Sequence, residues 1–253
     1  MGFPDDALTE DGFLGGRLRI LQPRTGYRAA MDPVLLAASV PAKPGQSVLD
    51  LGCGAGVASL CLGARVTGLQ LSGVELQPDY AELARRNADA NGQDFAVWTG
   101  DLAALPSVLR AQSFDHVIAN PPYFPANGGT AAHDGGREAA LRENLPLAEW
   151  VRIGMARLKP GGWLVMVQLA ERLPDLMAAL AGRGGVTVLP LAPRTGRAAN
   201  RLIMRAKKGG RGAFCLLSPF ILQAGAAHQR QGDGPSAAAQ AILRDGAAMS
   251  GFD

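Results

Sequence analysis

Between Ser47 and Leu191, short apolar runs alternate with segments of helix length, and this alternation leaves few folds open. Ser47–Leu51, Leu69–Leu76, Phe95–Thr99, Phe114–Ala119, Gly162–Leu169 and Val186–Leu191 read as strands. Val57–Ala64, Pro78–Asn91, Leu102–Arg110, Leu147–Leu158 and Arg172–Ala181 read as helices between them. In Pro78–Asn91 the residues Tyr80, Leu83, Ala84 and Ala88 share one face, and Gly92 stops the helix. Several strands are apolar on both faces, as strands covered by helices on two sides must be. The expected fold is α/β, a doubly wound and mostly parallel sheet. Two final runs, Arg201–Ala206 and Ala213–Leu217, are joined by Lys207–Gly212 without a helix, so an antiparallel edge is expected.

Ahead of this pattern, Gly12–Leu21 reads as a hairpin around Gly15-Gly16, followed by the basic turn Pro23–Arg28. Asp32 reads as an N-cap and Pro33 as the first residue of a helix that runs Val34–Val40. The expected organisation is an N-terminal extension over 1–45, one α/β domain over 46–220, and a partly ordered tail over 221–253. The tail is expected to be ordered only in part because Gln229–Asp253 is rich in Gly, Ala and Gln.

An apolar content of 47% excludes a chain disordered over most of its length. No apolar run approaches the roughly 18 residues that a membrane span needs. The start, Met1–Asp11, carries four acids and no base, the opposite of a secretory signal, so a cytoplasmic protein is expected. The three cysteines lack C-x-x-C spacing, which argues against a disulfide framework and a structural zinc, and no metal is expected. His116, His133 and His228 have no paired ligands or nearby nucleophile and read as structural or exposed. Net charge is only +3, yet Leu176–Gly232 contains no acid and nine bases. Such asymmetry suggests an anionic partner such as nucleic acid, against the simpler reading of a solvated face.

The turn Asp50-Leu51-Gly52-Cys53-Gly54-Ala55-Gly56 follows the first strand of the sheet, where parallel sheets bind ligands. Its G-x-G-x-G spacing differs from the G-x-G-x-x-G of dinucleotide binders, which disfavours a nicotinamide-dependent dehydrogenase. Cys53 within it reads as a small spacer. Glu75 ends the second strand, where a carboxylate can accept both hydroxyls of a ribose, and Leu76 follows it. Asp101 follows the third strand, where it can accept from the amine of an adenine or cap the next turn, and Leu102 stands beside it. Asn120-Pro121-Pro122-Tyr123 follows the fourth strand. The Asn120 side-chain oxygen and the Pro121 carbonyl can accept the hydrogens of a planar amine and free its lone pair. Pro122 keeps that carbonyl outward, and Tyr123 offers a face for a flipped base.

Together these residues resemble the class I S-adenosylmethionine-dependent methyltransferases that methylate amino groups. More narrowly, Gly12–Pro219 resembles the bacterial tRNA(Val) adenine-N6 methyltransferases, which act just 3′ of the anticodon. The resemblance implies a Rossmann-like, seven-stranded methyltransferase sheet and S-adenosylmethionine as cofactor. It implies that Asp50, Gly52, Cys53, Gly54, Gly56, Glu75, Leu76, Asp101, Leu102 and Asn120 meet that cofactor, and it extends the contacts to Arg28 and Asp32. It implies that Asn120, Pro121, Pro122 and Tyr123 receive the target base, with Phe124 beside them. The expected RNA partner is a tRNA. Arg194, Arg197, Arg201, Lys207 and Lys208 are its candidate phosphate contacts, and Arg137 is expected near the flipped base, in a loop that is Gly-rich from Gly128 to Gly136.

Two other readings stay open. One is an amino methyltransferase acting on guanine N2 in rRNA or on a protein glutamine amide. The amide version is disfavoured, because fewer than fifty residues precede Val48 and they do not read as a helical bundle. The other is a non-catalytic RNA-binding protein of the same fold, against which the intact glycines and Asn120–Tyr123 speak.

Overall fold

A computed structural model describes residues 2–125, 142–143, 145–182, 185–225 and 234–252. The chain opens with strands β1 (Leu8–Phe13) and β2 (Leu18–Pro23), an antiparallel pair joined through Leu14–Gly16. The hairpin thus reaches further toward the N-terminus than glycine spacing alone indicates. Helix α1 (Asp32–Ala38) follows, buried along its whole length. Its cap position is Met31, so Asp32 is not the cap expected of it and its carboxylate is turned elsewhere.

Then come β3 (Ser47–Leu51), α2 (Val57–Arg65), β4 (Gln70–Glu75), α3 (Pro78–Ala90), β5 (Phe95–Thr99), α4 (Ser107–Arg110) and β6 (Phe114–Ala119). The helix expected over Leu102–Arg110 is split into a 3-10 turn, Leu102–Ala104, and the short α4. Pro106 is the cause, since it lacks a backbone N–H and holds Leu105 out of the helical region. Two-residue strands β7 (Phe124–Pro125) and β8 (Arg142–Glu143) pair with each other. Helix α5 (Leu147–Arg157), β9 (Leu158–Leu169), α6 (Leu173–Ala179), β10 (Val186–Ala192), β11 (Arg201–Lys207), β12 (Cys215–Leu216), β13 (Phe220–Ile221) and α7 (Ala237–Asp245) complete the chain.

The main sheet runs β10-β11-β9-β6-β3-β4-β5, with β12 and β13 added to the outer edge of β10. Strands β9, β6, β3, β4 and β5 are parallel. Strand β11 is antiparallel to both β9 and β10 and lies between them. An antiparallel element was expected, but at the edge and paired with Ala213–Leu217. Burial explains the difference: Leu202, Ile203, Met204 and Ala206 are buried on both faces, whereas β12 is exposed and takes the edge, parallel to β10.

Successive strand residues feed two cores. Val48, Ile118, Val165 and Ile203 join the core with α1, α2 and the N-terminal hairpin; Leu49, Val117, Leu164 and Met204 join the core under α5. The hairpin docks on α3 through two asparagines one turn apart. Asn87 Nδ2 donates to the Leu21 and Ala55 carbonyls (3.1 and 2.9 Å), and its Oδ1 accepts from the Leu21 N–H (2.8 Å). Asn91 does the same for Arg19, so α3 supplies β2 with the hydrogen-bonding edge of a strand. Within the tail expected to be only partly ordered, α7 buries Ala239 and Ile242, and Met249 donates its N–H to the Ala38 carbonyl.

Candidate functional site

The carboxyl ends of β3, β4, β5 and β6 converge on one cavity of about 260 Å³. Of the residues singled out in the sequence, Asp50, Gly52, Cys53, Gly54, Glu75, Leu76, Asp101, Leu102 and Asn120–Tyr123 line it. Gly56 lies beneath, as the left-handed residue (φ 84°) that turns the chain into α2. Gly52 also has positive φ (65°), and a Cβ there would lie 2.7 Å from Trp150. That close approach admits only glycine.

Glu75 organises the floor. One carboxylate oxygen accepts from the Gly54 N–H and the other from the Gln77 N–H, both at 2.9 Å. Burial raises its pKa, opposed by these backbone donors. Asp101 accepts from the Ala103 N–H (2.8 Å), so it caps the 3-10 turn and faces the cavity at once. Leu76 is 52% exposed, an apolar side chain open at the cavity wall. Cys53 is buried and its thiol pKa is pushed well up, as befits a spacer.

Asp50 is buried and accepts from Ser59 Oγ (2.8 Å); burial pushes its pKa from 3.8 to about 7. Below about pH 4 the group is protonated in both folded and unfolded chains. Between there and pH 7 the folded chain keeps a proton that the unfolded chain releases, so stability falls as pH rises through this window. Asp50→Asn should therefore gain in melting temperature over the wild type as pH rises from 4.5 to 7.5. A difference that does not change with pH would show that Asp50 titrates as an ordinary carboxyl.

In the cavity wall, Asn120 Nδ2 donates to the Tyr27 hydroxyl (3.3 Å), while Asn120 Oδ1 is buried without a hydrogen-bond partner. Tyr27 is itself fixed: its N–H donates to the Tyr80 hydroxyl, which donates to the Tyr27 carbonyl. The Pro122 carbonyl accepts from Gln168 Nε2 (3.2 Å). The Tyr123 hydroxyl donates to Asp32, and burial beside that carboxylate raises the phenol pKa. Arg201 Nε also donates to Asp32, at 2.8 Å.

Several expectations need correction. Arg28 is turned away from the cavity, onto Asp11 (2.6 Å), Thr9 and the Pro23 carbonyl. Asp32 does not line the cavity but sits behind Tyr123. Arg194 is buried and donates to the Ala224 carbonyl. Lys207 and Lys208 lie at the far end of the sheet: Lys207 pairs in register with Trp163, whereas Arg201 pairs with Leu169 at the cavity end. Lys207 Nζ stacks over Trp163, and Lys208 donates to the Leu158 carbonyl (2.7 Å). Arg197 is exposed on the turn after β10, at the cavity end. Arg137 and the Phe124 side chain lie outside the described residues, as does the 128–136 loop. Sequence reasoning missed Tyr27 and Trp150 as walls of the site. Tyr27 stands in a basic turn that reads as punctuation, and Trp150 carries no local signal.

Residues 31–180 match the methyltransferase small domain family. The chain is 33% identical over 175 residues to a tRNA1(Val) (adenine(37)-N6)-methyltransferase of Porphyromonas gingivalis, covering 66% of this chain and 68% of that one. It is 30% identical over 201 residues to the enzyme of that description from Actinobacillus succinogenes, covering 78% and 84%. Among solved structures, a predicted O-methyltransferase from Agrobacterium tumefaciens superposes with a TM-score of 0.69 at 26% identity, covering 87% of this chain and 98% of that one.

Proposed function

The chain belongs to the methyltransferase small domain family, and from that premise we propose that it transfers methyl from S-adenosylmethionine to adenine N6 in a tRNA. The observation that carries this is Asn120, in the cavity lining: its amide nitrogen is pinned by Tyr27 and its oxygen is a buried acceptor without a partner. An unmet buried acceptor costs about 1–3 kcal/mol, and a planar amine offered by a substrate would meet it.

The residues present fit the cofactor. A Cβ at Gly54 would meet nothing within 4 Å, so the backbone there is open to a ligand. Glu75 would hold the ribose hydroxyls, Asp101 the adenine amine, and Leu76 and Leu102 the flat faces of the base. When bound, S-adenosylmethionine supplies an electrophilic methyl group on a sulfonium. The chain's own part is to present the nucleophile. Asn120 Oδ1 and the Pro121 carbonyl accept the two amine hydrogens and turn the nitrogen lone pair out of conjugation. The Pro122 carbonyl is already engaged by Gln168 and keeps the Pro-Pro turn in place. Tyr123 stacks on the base that has left its helix or loop. On this reading the extension over 1–45 serves the catalytic domain over 46–220, and the protein works in the cytoplasm with its tRNA.

Tritiated-methyl transfer to total RNA, followed by nucleoside mass spectrometry, tests the proposal. N6-methyladenosine in tRNA is the expected product; label in guanosine N2 or only in protein would overturn it. Of the five bases expected to contact phosphate, Arg197 is the one that is exposed at the cavity end. Arg197→Glu should weaken tRNA binding and flatten its salt dependence by about 0.7 for each lost contact to single-stranded RNA. Lys208→Glu, at the far end, should leave the slope as it is. Equal effects of the two would make the whole basic run one RNA-binding face.

A further inference from the structure

We infer that Asp32 and Arg201 are positioning residues that together fix the ring of Tyr123 for the incoming base. This assigns to neither the cofactor or phosphate contact expected of it, and it rests on the reading that Tyr123 receives an adenine. Asp32 opens α1 and Arg201 opens β11, 169 residues later. One oxygen of the buried Asp32 carboxylate accepts from both the Tyr123 hydroxyl and Arg201 Nε. Its other oxygen is buried with no partner. The carboxylate has two oxygens that can accept, yet both donors converge on one of them. Here they meet at a single point, which fixes where the phenol points.

Arg201 adds a second restraint. Its guanidinium carbon stands 5.7 Å from the centroid of the Tyr123 ring. A cation over one face leaves the opposite face for stacking, and it favours a ring rich in electrons. Tyr123 is thus held at its hydroxyl by Asp32 and along one face by Arg201. The other polar end of the same tetrapeptide, Asn120, is held by Tyr27. Both restraints on the motif come in part from residues 27–32, so the N-terminal segment acts on the target base through Asn120 and Tyr123 without touching it.

The test is a double-mutant cycle on the full chain with a tRNA transcript. Asp32→Asn, Tyr123→Phe and the pair are compared for kcat and KM toward RNA, for S-adenosylhomocysteine affinity by calorimetry, and for urea unfolding. Each single change should lower kcat/KM about 10–100-fold, the factor that loss of a charge-assisted hydrogen bond gives. The double mutant should be no worse than the poorer single within about threefold. S-adenosylhomocysteine affinity should stay within about twofold in Asp32→Asn. Arg201→Lys should keep more activity than Arg201→Gln, and Arg201→Gln should keep the wild-type salt slope for tRNA. Additive kinetic effects, a tenfold loss of S-adenosylhomocysteine affinity in Asp32→Asn, or a flattened slope in Arg201→Gln would each overturn the inference. If Asp32→Asn does not fold, the pairing of Tyr123→Phe with Arg201→Gln supplies the same cycle. A wild type that methylates no RNA overturns the functional reading and this inference with it; a wild type that does, with an additive cycle, overturns the inference alone.

Discussion

Asn120→Ala is expected to lower kcat by about 10³-fold while S-adenosylhomocysteine binds within about threefold of wild type. Removing one fixed, charge-stabilising hydrogen-bond partner from a reacting centre typically costs 10²–10³-fold. The Asn120 oxygen is such a partner: it is buried, it has no other bond, and the amide that carries it is held by Tyr27 at 3.3 Å. Its removal leaves the substrate amine conjugated with its ring and poorly nucleophilic. In the free chain Asn120→Ala removes the unmet acceptor together with the bond to the Tyr27 hydroxyl, two opposed effects, so its melting temperature should stay close to that of the wild type. Turnover within tenfold of wild type would mean that the amine is oriented by other groups, and Asn120 would lose its proposed role.

Glu75→Ala should weaken S-adenosylhomocysteine binding by about 100-fold, measured by calorimetry at pH 7.5. Each hydrogen bond to a charged group contributes about 1.5–3 kcal/mol. Here the same carboxylate that would take the ribose hydroxyls also holds the Gly54 and Gln77 N–H groups. The loss therefore combines missing ligand contacts with a loosened glycine turn. Glu75→Gln should be nearly as damaging, which separates geometry from charge. Both backbone partners are donors, so both oxygens must accept, and an amide has only one oxygen. Affinity kept in Glu75→Gln but lost in Glu75→Ala would show that a single accepting oxygen is enough.

The ends of the strands were legible in the sequence because strand length and the residue that follows are local matters. Glu75, Asp101 and Asn120–Tyr123 sit where the period of their strands puts them, and all reach one cavity. Asn-Pro-Pro-Tyr is legible for a further reason: its stiffness is covalent and needs no neighbours. What could not be read depends on partners distant in the chain. Arg201 and Lys207 look equivalent as members of one basic run. They begin and end a single strand, β11, and seven residues of strand separate its ends by about 20 Å. Arg28 looked free until Asp11 met it across the hairpin. Trp150 enters the site from α5 because Gly52, 98 positions earlier, leaves room for its ring.

Strand β11 also sets an order of events for the growing chain. Among the described residues, β10 pairs with β11 and with the two-residue strands β12 and β13, and all three follow it in the sequence. On the ribosome, Val186–Ala192 is therefore made before anything that can join it to the sheet. Its buried residues Val188, Leu189 and Leu191 must wait for Arg201–Lys207 to enter between β9 and β10. A chain released between these two strands carries an apolar strand with both edges open, the feature most apt to recruit other chains into aggregates. Synthesis must clear Lys207 before the sheet can shut.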